Sequence, residues 1–384
     1  MPGDDDETNL MPALAAVDLR RVDIDAKQAQ VAALLADCQS EGLLVLHPAN
    51  FRWLTAGANP SGLYGRDEMP ALFFNATQRW LLASATDSPR FFNEDLDGLG
   101  FQLKEWHWTA SREQMLADLV YGRRAACDQP FRECKHVGVF LASERRMLSA
   151  YETARLTDLG QTVAHALEAT ARNLSPGETE AEIAGHIAHR LVRHGAEPIA
   201  LQVSADGAGR SHRRRSYGSA AIHQWCTLQA TARQFGLHAT AARTVCFGPP
   251  EATVRAEYDA ALRVGAAHLA VSRAGERVLA AYDAGKAVLR ATPFEHEWRT
   301  APPFCITGRE PAEGIIHPAA QDHWVVGLAV VWQERIGAAA IVDTFVLGAN
   351  GWQTVTPAID WPIRRAVVFG REFDRPDILV RPNS

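Results

Sequence analysis

The chain has 384 residues, is 47% hydrophobic and carries a formal net charge of −6. That length and apolar content suit two folded domains, and the mild acidity supplies no overall field for nucleic acid. No apolar run approaches the roughly 18 residues that cross a bilayer, so membrane and nucleic-acid partners are set aside. Residues 1–15 begin acidic (MPGDDDETNL) and turn only briefly apolar. That is the reverse of a secretory signal, which predicts a disordered leader and a cytoplasmic location. Residues 24–38 (DIDAKQAQVAALLAD) have helical apolar spacing with Asp at the start. "GLLVLHP", "NFRWLTAGA" and "ALFFNATQRWLLAS" follow as short β-rich runs. Together they predict an α/β domain over 16–142.

Residues 143–173 repeat Leu, Ala and Val at three- and four-residue spacing, which predicts one long amphipathic helix. "LSPGETEAEIAGHIAHRLVRHGAEP" reads as a turn and a second helix with acidic residues in its first turn. Strands are expected over 198–248, helix over 251–291, and two adjacent strands over 324–347 (WVVGLAVVWQERIGAAAIVDTFVL). These make a second domain over 143–384. The six cysteines are scattered without a CxxC pair, so neither a zinc knuckle nor a disulfide framework is indicated.

The order of these elements and four motifs carry a resemblance. "NFRWLTAG" is similar to an Asn-Ile-Arg-Tyr-Leu-Thr-Gly segment, and "SPGETEAEIA" to a helix-turn-helix signature. "GLHATAARTVCFG" resembles Gly-Tyr-x-x-Asp-x-Thr-Arg-Thr-x-x-x-Gly, and "IVDTFVLGANGWQTVT" resembles Glu-Asp-Thr-x-x-Val followed by a Gly turn. All four belong to the creatinase, prolidase and aminopeptidase P superfamily, the M24 peptidases. The resemblance implies an α/β (α+β) chain with an amino-terminal creatinase-type domain and a carboxy-terminal pita-bread domain. It also implies a homodimer in which the amino-terminal domain closes over the partner's pocket.

Members of that family hold two divalent metals with two aspartates, a histidine and two glutamates, a cluster suited to activating water for amide hydrolysis. By the resemblance, the aspartate positions are Gln229 and Thr240, and the glutamate positions are Gln333 and Val342. The histidine should fall in "WRTAPPFCITGRE", which contains none. Neutral amide and hydroxyl groups do not offset a divalent ion's lost hydration, so no cofactor is expected and a lost dinuclear metal site is inferred. Glu334 and Asp343 each follow a lost glutamate by one residue. Neighbours on a strand face opposite ways, so they substitute only if both strands shift by one.

His212 in "AGRSHRRRSYG" matches the family's substrate histidine and is the first candidate for proton transfer; the other reading is a loop histidine among arginines. His238 lies two residues before Thr240 and shares its strand face, either as a pocket wall or as a histidine satisfied within the sheet. His317 is the second catalytic candidate, on a loop where site residues concentrate. Gln229, Thr240, Arg243 and Glu310 complete the substrate-binding candidates. Cys226, three residues from Gln229, should face the core. The leading expectation is a metal-independent hydrolase acting on a C–N bond of a small polar compound or short peptide. The rivals are a non-catalytic pseudopeptidase that binds a peptide or metabolite, as the superfamily's histone-chaperone relatives illustrate, and a metal-dependent Xaa-Pro peptidase.

Overall fold

The computed structural model describes residues 7–60, 69–211, 213, 215–300, 302–315, 317 and 321–382, with side chains from residue 18 onward. The chain divides into two compact units. One comprises Met1–Arg145 with Ser149–Glu152, the other Arg146–Leu148 with Thr153–Ser384.

The first unit runs α1 (Glu7–Asp37), β1 (Gly42–Val45), α2 (Pro48–Leu54), β2 (Ala71–Phe74), β3 (Arg79–Ser84), α3 (Ser88–Arg90), β4 (Gln102–Trp106), α4 (Arg112–Val120), β5 (Ala125–Cys127), β6 (Lys135–His136) and α5 (Gly138–Glu144). Its sheet has the order β4-β3-β2-β1-β5-β6. The helix expected from residue 24 begins at Glu7, so residues 7–15 of the expected leader are helical; their Leu, Met and Ala content favours that state. "NFRWL", expected as a β-rich run, is the body of α2. Pro48 at the first turn and the His47 side chain, which accepts from Ala49 N at 3.2 Å, start that helix. The Asp128 carboxylate accepts from Leu46 N, His47 N and Asn50 Nδ2 at 2.8, 3.0 and 2.9 Å, so tertiary contacts override local β propensity.

The second unit follows with α6 (Ala150–Asn173), α7 (Glu180–Arg193), β7 (Glu197–Ala205), β8 (Trp225–Gln234), β9 (Leu237–Phe247), α8 (Ala252–Val271), α9 (Leu279–Arg290), β10 (Phe304–Thr307), β11 (Ala329–Ile336), β12 (Ala339–Gly348), β13 (Gly351–Thr354), β14 (Ile363–Val368), β15 (Arg371–Pro376) and β16 (Leu379–Arg381). The long helix expected from Ser143 starts instead at Ala150. Ser149 and Glu152 bond reciprocally there, backbone N–H to side chain at 3.0 and 3.1 Å, and separate it from α5. Thr179 and Glu182 cap α7 in the same manner. Two four-stranded sheets, β16-β9-β8-β7 and β10-β11-β12-β13, and the hairpin β14-β15 make up the β structure. The helix α7 and one face of β8 and β9 share a core of Ile183, Ile187, Leu191, Leu228, Ala230, Ala239 and Val245. Each fully buried Leu, Ile or Val there stabilises the unit by roughly 1.5–3 kcal/mol.

Candidate functional site

The site face follows from strand alternation. On β8 and β9, Cys226, Leu228, Ala230, Ala239, Ala241 and Val245 enter the core, so Gln229, Thr231, His238, Thr240 and Ala242 point the other way. Gln229 pairs with Ala242, Thr231 with Thr240, and Arg233 with His238. The second sheet packs onto this face. Thr240 N donates to Thr344 Oγ1 at 2.8 Å, and that hydroxyl donates to Thr240 O at 2.8 Å. Beside this clasp Ala242, Val331, Ala340 and Val342 form a buried apolar cluster, with half-buried Cys305 against it. Burial pushes the Cys305 thiol up to about 11.

Of the positions that the resemblance aligns with metal ligands, Val342 belongs to that cluster. Gln333 and Val342 face each other directly across β11 and β12, and Val342 is fully buried among the apolar residues. The Thr240 hydroxyl lies 2.9 Å from that of Thr231. Glu334 turns to the opposite face, where its Oε1 accepts from His268 Nδ1 at 3.2 Å. Asp343 Oδ1 accepts from Arg243 at 2.9 Å and Thr356 at 3.0 Å, and Oδ2 lies 3.1 Å from Arg375. The one-residue shift that would bring Glu334 and Asp343 into the ligand positions is therefore not what the strands adopt. Among the described residues no group of three or more His, Cys, Asp or Glu stands together as a metal site would require. A buried valine, a threonine hydroxyl and two neutral amides do not fit a pair of divalent cations, which demand anionic oxygens.

Next to the cluster opens a cleft of about 750 Å³, lined by Gln202, Arg213, Arg215, Gln229, Gln333 and Arg335 among others. The Arg335 guanidinium donates to Gln202 Oε1 at 3.1 Å and to Gln229 Oε1. Because arginine only donates, both glutamines present their carbonyl oxygens to it, which leaves their NH2 groups as donors. Arg210 forks onto Glu257 at 2.7 and 2.8 Å, Arg215 meets Glu180 at 2.6 Å, and Arg213 pairs with Glu297 while donating to Arg335 O at 3.1 Å. The cleft is thus rich in guanidinium and amide donors, the chemistry that receives a carboxylate or another oxyanion.

Of the candidates named from the sequence, Gln229 lines this cleft. His212 lies outside the described residues; its neighbours Ser211 and Arg213 line the cleft. His238 is 2% exposed, with its backbone N and its Nδ1 both directed at Gly308 O, 2.9 and 3.1 Å away. Thr240 is closed into the sheet contact. Glu310 sits half-buried in the turn after β10, where its carbonyl accepts from Gly308 N at 3.3 Å. His317 is exposed and lines a different cavity, of about 590 Å³, bounded by α8, α9 and β11.

Arg243, expected as a substrate contact, is instead a core residue. It lies three positions past Thr240, hence on the opposite strand face, and is 1% exposed. It donates to Glu168 at 3.0 Å, Asp343 at 2.9 Å and the carbonyls of Ala242, Thr356 and Pro357. Burial opposes its charge, but Asp343 and Glu168 outweigh that and hold it above its ordinary value. Sequence reasoning passed over Arg335, Gln202 and Glu297. Only Arg335 had left a signal, lying two residues after Gln333 on the same strand face.

The class so defined is a two-unit α/β chain whose carboxy-terminal unit packs a mixed and an antiparallel four-stranded sheet together over a site face, the pita-bread architecture. Residues 154–317 match the model of metallopeptidase family M24. It is similar to the dipeptidase PepE from Mycobacterium ulcerans (18% identity, TM-score 0.74, covering 94% of this chain and 99% of that one). The prolidase from Pyrococcus horikoshii OT3 is similar at 13% identity and TM-score 0.73, over 87% and 99% of the two chains. The N-terminal domain of the FACT complex subunit SPT16 from Cicer arietinum also shares the fold, at 11% identity and TM-score 0.64 over 88% and 96%. No curated protein matches the chain. Among the described residues no helix is long and apolar enough to cross a membrane.

Proposed function

We propose that this chain is a creatinase- or Xaa-Pro-peptidase-like hydrolase that works without the metal pair, on a C–N bond of a small polar compound or short peptide bearing a carboxylate. The observation that carries the reading is Arg335, set between Gln202 and Gln229 in a donor-rich cleft beside the apolar cluster. In this reading the carboxylate is received by Arg335 and the amide donors. His212 moves the proton between the attacking water and the leaving amine, as a near-neutral imidazole can; the cleft-lining positions of Ser211 and Arg213 on either side support it.

A second reading, a pseudopeptidase that binds without turnover, is favoured by the apolar seal of Ala242, Val331, Ala340 and Val342 over the former ligand positions. Amine release from a panel of N-acyl and N-amidino amino acids, measured in excess chelator, tests both. Turnover that falls at least about tenfold in Arg335→Ala, the worth of one charge-assisted bond, supports the hydrolase. Carboxylate binding with no turnover supports the pseudopeptidase. Neither binding nor turnover with any member of the panel contradicts both.

A further inference from the structure

The cleft does not end at Arg335. The cavity of about 590 Å³ bounded by α8, α9 and β11 shares Glu297, Thr300, Pro302, Gln333 and Arg335 with it. Four consecutive strand residues, Gln333 to Ile336, line that chamber. Successive side chains on a strand point to opposite faces, so the chamber reaches round the edge of β11, from the face of Gln333 and Arg335 to that of Glu334 and Ile336. Room for this exists because β10 begins at Phe304, opposite Trp332, and Gln333 N then donates to Pro303 O at 2.8 Å. Among the described residues no strand pairs with β11 beyond Trp332 on that side.

The two spaces differ in chemistry. The cleft presents guanidinium and amide donors, whereas Val264, Tyr282, Leu289, Trp298, Ile315 and Ile336 give the chamber apolar walls. His268 and Glu334, also on its wall, are engaged with each other at 3.2 Å. Glu297, the acid of the shared wall, is paired with Arg213. Lys286 and Arg299, the cations that line the chamber alone, lie over the Trp298 ring, with Nζ 4.0 Å and the guanidinium carbon 5.5 Å from its centre. With Arg335 they favour an anionic ligand and oppose a cationic one.

We propose that cleft and chamber are one bent site, and that its ligand is an N-acyl amino acid with an apolar, medium-length acyl chain. This names the substrate class and rests on the reading above, in which Arg335 receives the carboxylate. The amide then lies at the shared wall beside Gln333, and the acyl chain turns round the edge of β11 into the chamber. A mostly apolar pocket with a few polar groups at one end suits such a ligand. In hydrolysis the water oxygen bonds to the acyl carbon as the C–N bond breaks. Both water protons end on the released nitrogen, giving a fatty carboxylate and a free amino acid.

The test is calorimetric titration of the full chain with N-acetylglycine, N-octanoylglycine and octylamine. N-octanoylglycine should bind at least about tenfold tighter than N-acetylglycine, the worth of about two buried methylenes. It should also bind at least about tenfold tighter than octylamine, the worth of one charge-assisted bond. Equal affinity for the two acylglycines, or tighter binding of the amine, overturns the proposal. Leu289→Trp, which fills the chamber from its wall, should remove most of the octanoyl advantage. If that variant does not fold, Ile315→Asp, at an exposed wall residue, should lower the advantage by about fourfold or more, one methylene's worth. An advantage that survives intact in the folded variants puts the chain elsewhere and overturns the proposal. Amine release, followed in parallel, separates the two readings. No release from either acylglycine, with the advantage present and lost in Leu289→Trp, upholds the bent site and fails the hydrolase. Release from N-acetylglycine without an octanoyl advantage fails the bent site alone.

Discussion

Gln333 and Val342 stand directly opposite each other across β11 and β12, and they are the two positions that the sequence resemblance aligns with metal-binding glutamates. The pair is half amide and half hydrocarbon, and the hydrocarbon half is sealed under Ala242, Val331 and Ala340. A two-metal centre would require this corner to be the most anionic point of the fold, whereas it is among the most apolar.

Val342→Glu should therefore destabilise the chain by about 3 kcal/mol or more, because it buries a carboxylate without a partner. Urea unfolding with and without added manganese checks this. Wild-type-like stability, or recovery on adding the metal, would mean that enough of the ligand set persists to accept the restored glutamate.

Arg243→Ala should cost about 3–5 kcal/mol by leaving Glu168 and Asp343 buried without their shared cation. Arg243→Lys should also be strongly destabilising, since a single ammonium cannot replace a fork that reaches two carboxylates and three carbonyls. Unfolding midpoints measure both. A variant that kept full stability and lost only ligand binding would return Arg243 to the site.

Burial pushes Cys305 up to about 11 and Cys127 and Cys246 to about 12, and lifts Cys226 well above the ordinary thiol range. Each group has a folded pKa above its unfolded value of about 8.5. The stability it contributes is therefore complete below about pH 8.5 and is lost as pH rises toward the folded values. Unfolding free energy should fall across pH 9 to 11, and less so in Cys226→Ala or Cys246→Ala than in the wild type. At pH 7.5 the buried Cys127, Cys226 and Cys246 should react with a disulfide reagent only after unfolding. Rapid labelling of Cys226 in the native protein would show that it does not face the core described.

Hydrogen bonds from the Thr179 backbone and then its hydroxyl hold the exposed Glu182 carboxyl below its usual range. A depressed folded pKa gives a contribution that is present above the unfolded value and lost as pH falls through the folded one. The Glu182 side-chain carbon shift should thus titrate at lower pH in the wild type than in Thr179→Ala. Equal midpoints would show that the cap of α7 does not form in solution.

The sequence revealed what depends on short-range rules and concealed what depends on pairing between distant segments. The turn and helix begun by "SPGETEAEIA", the strands within 198–248 and the inward face of Cys226 followed from spacing alone. So did the opposed directions of Gln333 and Glu334, from the alternation of strand residues. The same alternation placed Arg243 away from Thr240, a three-residue step whose parity went unused when Arg243 was taken for a site residue. Gln202 reached the cleft through β7 pairing with β8, and Glu297 through Arg213; neither contact has a local sequence signature. The helix over "NFRWL" was hidden because Asp128, far along the chain, fixes its start.

The most direct test of the central claim is calorimetric titration of protein purified without chelator against manganese, cobalt and zinc, together with its metal content. A chain that holds Gln229, Thr240, Gln333 and Val342 where the resemblance expects anionic ligands should bind none of the three stoichiometrically. Binding of about two ions per chain, the signature of a two-metal clamp, would contradict the account and require a different strand register around Glu334 and Asp343.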